Sequence, residues 1–538
     1  MRIIKKLSYT ILSTFILLVA CQDSFLELTD PSQYTVDSYY INAAQAQQAI
    51  TASYASLQKS GVLNQHGVHF PDQLGDEFFA TGFAAGYGTY GPISNLIINS
   101  GDGFSNTIWE HLYEGIYTTN IAIDQFPTIV EQDNQFTQEE ADELVGEARF
   151  LRAFYYFRLV NFYGEEIPLQ TVPGEERFPA PAEPGAIYQQ IEEDLKAAQQ
   201  VLPTVDERRG TPFLGKATQG AATALLGKHY LFLEQYEAAA AEFAKIVNGE
   251  TGTYRLVDSY RENFIQSTEI NDESVFEVNY TIIGGSPWSV NGDNVNQDES
   301  ELYTVSRSVN RQSNARYFFN FAIRRDMVSN GDPLLNFEEG DNRVYATFWG
   351  VEDGASYVDT NGETLAWNEQ SWEVVEGGCY GLRKFDQDEA RNVNWNGTNL
   401  RLIRYADVLL MYAEALHMLG RPDTEIAQYI DMVRMRANNP FPEDQPNMPS
   451  TTQTGSLPPV LDLMQQNSWS MMDAIIHERY VELFGEQKRW FDIRRWDIGN
   501  EVLSYKPGWR GEASYFLPIP QDELDNIPNF NTGNLANN

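Results

Sequence analysis

Cysteine and histidine are scarce in this chain of 538 residues, which contains two cysteines and six histidines. Two cysteines, Cys21 and Cys379, cannot form a disulfide framework. The histidines form no H-E-x-x-H pattern, and no third ligand can be placed beside His66 and His69, which are expected in a loop. The sequence also has no EF-hand loop and no G-x-S-x-G motif. We therefore predict no metal site and no cofactor.

Basic residues are also few, 37 against 76 acidic residues, and the formal net charge is −39. A surface this negative repels DNA, RNA and anionic lipid headgroups. Nucleic acid is therefore excluded as a predicted partner. The composition is otherwise that of a globular protein, with 42% hydrophobic residues, which excludes a disordered acidic chain.

No apolar run is long enough to cross a bilayer, which takes about 20 residues. A basic start followed by a mostly apolar stretch at 7–20 is typical of a signal peptide. It ends in Leu18 to Cys21, which is similar to a bacterial lipobox, where the cysteine receives a diacylglycerol. We predict a lipoprotein signal peptide at 1–20, a lipid anchor on Cys21 and a tether at 21–40. An ordinary signal peptide is the alternative.

Helical periodicity dominates residues 41–270. Apolar residues recur at steps of three and four along 144–162 and along 187–202, where Pro203 ends the pattern. The segment 104–126 also reads as a helix.

One helix pair has the register of a tetratricopeptide repeat. Leu226-Gly227-x2-Tyr230 is followed by Ala239-x3-Phe243, which places small residues where two helices cross closely and aromatic residues beside them. The tryptophan and the terminal proline of the repeat are missing. Unrelated amphipathic helices are the alternative.

Residues 271–400 have a different character. The segment 275–280 indicates a strand, and much of the rest is loop rich in Asn, Gly, Asp and Ser. Long irregular segments inside a compact protein are usually functional or disordered, and the aromatic content of this one argues against disorder. It contains half of the ten tryptophans, namely Trp288, Trp349, Trp367, Trp372 and Trp395.

A glycine-rich segment, Gly86 to Gly91, satisfies the pattern G-x-G-x-x-G. Dinucleotide binding needs a strand before this pattern and a helix after it, but Pro92 follows at once and no apolar strand precedes. We interpret the segment as a turn that carries Tyr87 and Tyr90. Paired carboxylates for glycoside hydrolysis stay open, because the many acidic residues single out no pair.

Five sequence blocks occur in a fixed order along the chain. They are F-L-E-L at 25–28, E-A-R-F-L-R-A-F-Y-Y-F at 147–157, L-I-R-Y-A-D-V-L-L-M-Y-A-E-A-L at 402–416, H-E-R-Y-V-E-L-F-G-E-Q-K-R-W-F-D-I-R-R-W at 477–496 and L-P-I-P-Q-D-E-L at 517–524. Through these blocks and their order the chain resembles the SusD/RagB family, the surface glycan-binding lipoproteins of Bacteroidetes nutrient-uptake systems.

The resemblance implies a mainly α fold built from tetratricopeptide-like helix pairs and a less regular ligand-binding region. We expect the helical scaffold at 41–270, a loop-rich ligand-binding region with short strands at 271–400, and C-terminal helices at 401–538 that return to the scaffold. It also implies a non-catalytic protein, lipid-anchored in the outer membrane and exposed at the cell surface. Its implied partner is a TonB-dependent (SusC-like) outer-membrane transporter.

The arginines of the family blocks are predicted to be structural. Their expected role is to pair with acids between packed helices and to cover aromatic faces. They are Arg149, Arg152, Arg404, Arg494 and Arg495.

Aromatic rings in loops are the predicted ligand-binding residues. An indole or phenol ring matches the apolar face of a neutral oligosaccharide, and nearby polar side chains match its hydroxyl rim. Ordinary packing is the alternative for each ring. Trp109, Trp490 and Trp496 lie in helix patterns and are predicted to be core. The candidates are Trp288, Trp349, Trp372, Tyr87 and Tyr90.

A basic segment at 307–325 stands out in this acidic chain. We interpret Arg311 as a candidate for binding uronate or sulfate groups of an acidic glycan. A helix face paired with surrounding acids is the alternative. The predicted function is capture of oligosaccharide and its delivery to the transporter, with no bond broken. A peptide or other nutrient ligand, a glycoside-acting enzyme and a purely structural interaction module are the alternatives.

Overall fold

Helices make up most of the chain that the structure describes. The computed structural model describes residues 39–80, 90–174, 178–280, 321–324, 333–349, 356–358, 364–366, 379–385, 398–441 and 455–527. The helices are α1 (Ala43–Ala55), α2 (Gln65–Leu74), α3 (Tyr90–Ser94), α4 (Gly103–Gln132), α5 (Gln138–Tyr163), α6 (Ala186–Val201), α7 (Val205–Arg208), α8 (Gln219–Phe232), α9 (Tyr236–Val247), α10 (Arg343–Thr347), α11 (Tyr405–Met418), α12 (Asp423–Ala437), α13 (Val460–Asn467), α14 (Met471–Leu483), α15 (Arg489–Arg495), α16 (Gly499–Val502) and α17 (Gln521–Asn526). Short 3-10 helices span Ser56–Gln58, Tyr260–Phe264, Gln266–Thr268 and Pro333–Leu335.

The strands of the described residues are short and form three small sheets. They are β1 (Phe79–Ala80), β2 (Ser274–Val278), β3 (Phe321–Arg324), β4 (Phe348–Trp349), β5 (Ser356–Val358), β6 (Thr364–Ala366), β7 (Cys379–Leu382) and β8 (Leu400–Arg404). One sheet has the order β1-β3-β7-β4, and the others are the pairs β2-β8 and β5-β6. The predicted mainly α fold with a few short strands is confirmed.

Local signals explain where the long helices begin and end. Helix α5 starts with a capping box, in which the Glu140 N–H donates to the Thr137 hydroxyl at 3.2 Å and the Thr137 N–H donates to the Glu140 carboxylate at 2.8 Å. It stops because Gly164 follows with a φ of 82°. Helix α6 ends just before Leu202 and Pro203, as the sequence predicts.

The helix pair α8–α9 packs in the way that the repeat pattern predicts. A Cβ atom on Gly227 would lie 2.7 Å from the ring of Phe243, so only glycine allows this close approach. Phe243 itself is fully buried. The pattern therefore identified a real helix crossing. Helix α9 also packs against α11, which brings the C-terminal part of the chain onto the earlier helices.

The strand predicted at 275–280 is confirmed as β2, which ends at Val278. It pairs antiparallel with β8, and Val278 lies opposite Leu400. Every residue of both strands is buried. The two ends of the segment 271–400 are therefore joined inside the protein.

The family-block arginines have structural roles, as predicted. Arg149 and Arg152 both contact Asp194, at 3.0 and 2.7 Å. Arg404 contacts Glu482 at 2.5 Å. Arg495 pairs with Glu414. Arg494 instead donates to Asn161 and lies over the Phe516 ring at 4.9 Å.

The helical tryptophans differ in their exposure. Trp109 and Trp490 are buried, with 4% and 1% of their surface exposed, as predicted. Trp496 is only half-buried, so the prediction that it belongs to the core is wrong. It caps the end of α15, where its indole N–H donates to Glu414 at 2.9 Å. Among the described residues, no helix combines the length and the apolar character needed to span a membrane.

Candidate ligand-binding site

A four-stranded antiparallel sheet joins the segments that carry most of the predicted ligand-binding residues. Strand β1 pairs with β3, β3 with β7 and β7 with β4. These strands come from distant parts of the sequence, so only the tertiary structure brings them together. The sheet therefore connects the glycine-rich segment to the region 271–400.

Two of these segments meet the sheet side by side at one end. Ala80 is paired with Phe321. Residues 81–89 follow Ala80 in the chain, and residues 281–320 precede Phe321. The chain ends that anchor both segments are therefore neighbours. The segments carry three of the predicted residues, Tyr87, Trp288 and Arg311.

The other two candidate tryptophans, Trp349 and Trp372, are connected to the opposite end of the sheet. Arg324 pairs with Cys379, and the segment with Trp372 leads into Cys379. Trp349 pairs with Gly381 and is the last residue of β4. The predicted residues thus fall into two groups, one for each end of a short sheet.

The loop placement expected for two of the site residues needs correction. Tyr90 was expected in the glycine loop, but it is half-buried and begins helix α3. Trp349 was expected in a loop, but its backbone lies in strand β4. The preceding residue of this strand, Phe348, is fully buried in the core. The other predicted site residues lie outside the described residues: Cys21, Tyr87, Trp288, Trp372 and Arg311.

Two other expectations for loops and helices are also wrong. His66 and His69 have helical backbone in α2 rather than lying in a loop. Arg324 lies in strand β3, so the helix-face interpretation of the basic segment fails at that residue. Within the described parts of the chain, no three His, Cys, Asp or Glu residues are grouped in a way that could hold a metal ion.

A small aromatic core supports the sheet from below. Phe348 is fully buried and lies 5.0 Å from the ring of Phe484, near the end of α14. Phe78, just before β1, lies 5.6 Å from the same ring. Phe337 packs edge-on against Phe348 at 5.1 Å. Aromatic rings from the two edges of the sheet, β4 and the residue before β1, therefore converge on Phe484, which directly follows helix α14.

Beneath this core lies a cluster of buried charges, which we call the ion network. Arg343 is fully buried and donates to Asp341 at 2.8 Å, to Glu478 at 2.5 Å and to Glu482 at 2.9 Å. From the loop-rich region, Lys384 donates to Glu486 at 2.6 Å. The network therefore ties residues beside β4 and β7 to α14 and to the chain that follows it.

Glu482 is the centre of the ion network. Its carboxylate accepts hydrogen bonds from Arg343, Arg404 and Arg436 at 2.9, 2.5 and 2.5 Å. Burial by itself raises the pKa of Glu482, but the three guanidinium groups outweigh burial and hold its pKa far below the usual value. Glu482 is therefore ionised and paired.

Sequence reasoning missed one half-exposed tryptophan, Trp469. It lies between α13 and α14 and lines an open cavity together with Asn336 and Gln466. A sequence signal for Trp469 exists, because this residue lies in the polar run Asn-Ser-Trp-Ser. The candidate tryptophans were selected for the same feature, a position in a polar segment.

Comparison with known proteins identifies the class that this fold and site define. A family model described as the SusD family matches residues 271–511, and one described as starch-binding associating with outer membrane matches residues 24–231. Together they match most of the chain. The chain belongs to the SusD/RagB family, as the sequence blocks predict.

Three relatives show how far the similarity extends. A SusD-like protein of Formosa agariphila is 25% identical over 97% of both chains. A laminarin-binding SusD-like protein of known structure is 26% identical, with a TM-score of 0.65 over 91% of this chain and 98% of that one. Surface glycan-binding protein A from Bacteroides thetaiotaomicron, solved with laminarihexaose, is 20% identical with a TM-score of 0.63 over 90% of this chain and 97% of that one. The last of these comparisons shows likeness of fold.

Proposed function

We propose that this protein is a glycan-binding lipoprotein of the cell surface, which captures oligosaccharide and delivers it to a TonB-dependent outer-membrane transporter. The observation that carries the proposal is the pairing of Ala80 with Phe321. Residues 81–89, which carry Tyr87, follow Ala80, and residues 281–320, which carry Trp288 and Arg311, precede Phe321. The 26% identical relative that binds laminarin supports the ligand class.

Binding in this proposal uses stacking and hydroxyl hydrogen bonds and breaks no bond. The rings of Tyr87, Trp288, Trp349 and Trp372 would cover the apolar faces of sugar units. Arg311 would add affinity for acidic groups where the glycan carries them.

The anchor and the delivery step extend the same proposal. A lipid on Cys21 would hold the protein on the membrane through buried acyl chains, at about 0.8 kcal/mol per CH₂ group. Residues 22–38 join this cysteine to Tyr39, and at about 3.3–3.6 Å per extended residue they reach at most about 60 Å. Such a tether allows the helical body to move over a neighbouring transporter.

The ligand test measures binding of laminarin, other neutral and acidic polysaccharides, and peptides by affinity electrophoresis and calorimetry. We expect Tyr87→Ala and Trp288→Ala each to weaken oligosaccharide binding about tenfold, since an aromatic contact contributes about 0.5–1.5 kcal/mol beyond area burial. The matched control is Tyr117→Ala, an exposed ring on α4, which should change nothing. Equal binding by all three variants would contradict the site.

Further measurements separate the rival functions. Prolonged incubation with a bound oligosaccharide should release no shorter products, and their appearance would favour an enzyme. If the protein binds peptides more tightly than polysaccharides, the proposed ligand becomes a peptide, while the proposed lipid anchor and transporter partner stay the same. Cys21→Ser should abolish lipid labelling and outer-membrane retention. If no TonB-dependent transporter co-purifies with the lipidated protein, the delivery step is overturned.

A further inference from the structure

A cavity lies where residues 336–339 of the loop-rich region meet the C-terminal helices. It has a volume of about 480 Å³, within the range of about 300–1,000 Å³ that is typical of small-molecule sites. One wall is formed by residues 336–339 and the facing wall by helix α13 and Trp469. Glu339 and Gln466 are exposed at its rim, so the cavity is open to solvent.

The segment 455–458 forms a fixed side of this cavity. The Leu457 N–H donates to the Asn438 side chain at 2.8 Å, and the Gly455 N–H donates to the Asn438 carbonyl at the same distance. Arg434 donates to the Pro458 carbonyl at 3.1 Å. Gly340 has a φ of +87°, and a Cβ atom there would lie 2.3 Å from the Ser456 hydroxyl. The close fit at Gly340 and the hydrogen bonds together hold the segment in place.

Trp469 supplies an aromatic surface to the cavity. Its ring lies 5.0 Å from the ring of His477, which is fully buried and contacts Glu338 at 3.1 Å. Leu463 and Pro458 add apolar surface. The indole is therefore backed by packed side chains and only half of it is covered, as a stacking platform requires.

Of the two carboxylates in the lining, Glu338 already has protein partners. Glu338 accepts from Arg434 at 2.8 Å and from His477. Burial by itself raises the pKa of Glu338, but these hydrogen bonds lower it to about 2. Arg434 is in turn shared with Glu478 and Pro458. Within the described lining, no cation is left to bind an anionic ligand.

Other polar groups line the same cavity. Among the described residues, the side chains of Asn336, Glu339 and Gln466 and the indole N–H of Trp469 have no protein hydrogen-bond partner. They offer amide donors, amide acceptors and one carboxylate around an apolar face. This combination matches a neutral ligand that is apolar on one face and rich in hydroxyls on its edge.

We infer that this cavity is a second carbohydrate site, which takes a neutral mono- or disaccharide unit by stacking on Trp469 and hydrogen bonding to Asn336 and Gln466. The site is separate from the four-stranded sheet, although Phe337 belongs both to its wall and to the core below the sheet. The inference rests on the proposed function only for the class of ligand.

The test labels the full chain with 5-fluorotryptophan and follows each tryptophan by ¹⁹F NMR. Trp469→Phe and Trp288→Phe assign the two reporter resonances. The probes are glucose, galactose, mannose, N-acetylglucosamine, laminarihexaose and, as an anion, galacturonate. We expect a saturable shift of the Trp469 resonance with at least one neutral sugar and none with galacturonate. The half-exposed Trp509, remote in sequence from the cavity walls, is the control and should not move.

The double variant Asn336→Ala/Gln466→Ala should weaken the Trp469 response about tenfold or more. A Trp469 resonance that no probe moves, or a shift that persists unchanged in the double variant, would overturn the second site. If the Trp288 resonance shifts and the Trp469 resonance does not, the second site is overturned and the proposed function stands. If the Trp469 resonance shifts and the Trp288 resonance does not, the predicted site at Trp288 is overturned and the second site stands. If neither resonance shifts with any probe, both proposals are overturned.

Discussion

Replacement of Glu482 by glutamine tests whether the ion network holds the residues beside the four-stranded sheet on helix α14. The substitution keeps the size of the side chain but removes its charge. Three guanidinium groups, from Arg343, Arg404 and Arg436, then share a neutral amide. Arg343 belongs to the segment beside β4, whereas Glu482 belongs to α14. The variant therefore weakens the contact between the segment beside β4 and helix α14.

The expected loss is large because the site is fully buried. Breaking one partner out of a buried ion pair costs about 3–5 kcal/mol, since it leaves charge unpaired in a low-dielectric interior. The pKa of Glu482 is lowered in the folded state, so its contribution to stability is present above the unfolded value of about 4.5 and is lost as the pH falls below it. The difference between variant and wild type should therefore be full at pH 7 and shrink below pH ~4.5.

The assay combines denaturant unfolding with hydrogen exchange. We expect Glu482→Gln to accelerate exchange at 379–382 and 400–404 more than in the α8–α9 pair. The matched control is Glu425→Gln, whose partner Arg421 is exposed on the surface of the same protein. Such a pair contributes about 0.3–0.5 kcal/mol. If both variants lose the same small amount of stability, the reasoning about the network is refuted.

Three other predictions concern different parts of the molecule. Gly227→Ala should lower stability by about 1–3 kcal/mol in thermal unfolding because its methyl group meets Phe243, whereas Gly101→Ala, with open space around it, should be nearly neutral. Burial lowers the pKa of Lys506 to about 7, so the unfolded chain binds more protons between about pH 7 and 10.5. The free energy of unfolding of the wild type should therefore rise with pH across that window, and the rise should be smaller in Lys506→Met. An equal slope in wild type and variant would contradict this role of Lys506. Trp349→Ala should weaken glycan binding without lowering Tm; a loss of about 3–5 kcal/mol would instead place that ring in the interior.

Helix positions followed from local sequence because their causes are local. Thr137 and Glu140 are three residues apart and cap α5 by themselves. The pattern around Gly227 predicted a close helix crossing because small and large residues must alternate there. Tyr90 failed the same kind of reasoning, since a glycine-rich neighbourhood gave no sign of a helical turn at that residue.

The candidate site was less accessible to such reasoning. Residue types alone selected rings in polar segments, and that criterion missed Trp469, whose cavity is completed by residues more than one hundred positions earlier in the chain. It also gave no sign that Ala80 pairs with Phe321.

The sequence by itself determined the family, the helical character, the acidic surface and the expectation of a lipid anchor, because short blocks, periodicity and net charge carry that information. The tertiary structure alone decided which distant segments share a sheet, which arginines surround Glu482 and where a half-covered indole borders a cavity. These features depend on contacts between residues far apart in the chain. Buried charges and aromatic rings stabilise such contacts, and neither kind of contact leaves a periodic pattern in the local sequence.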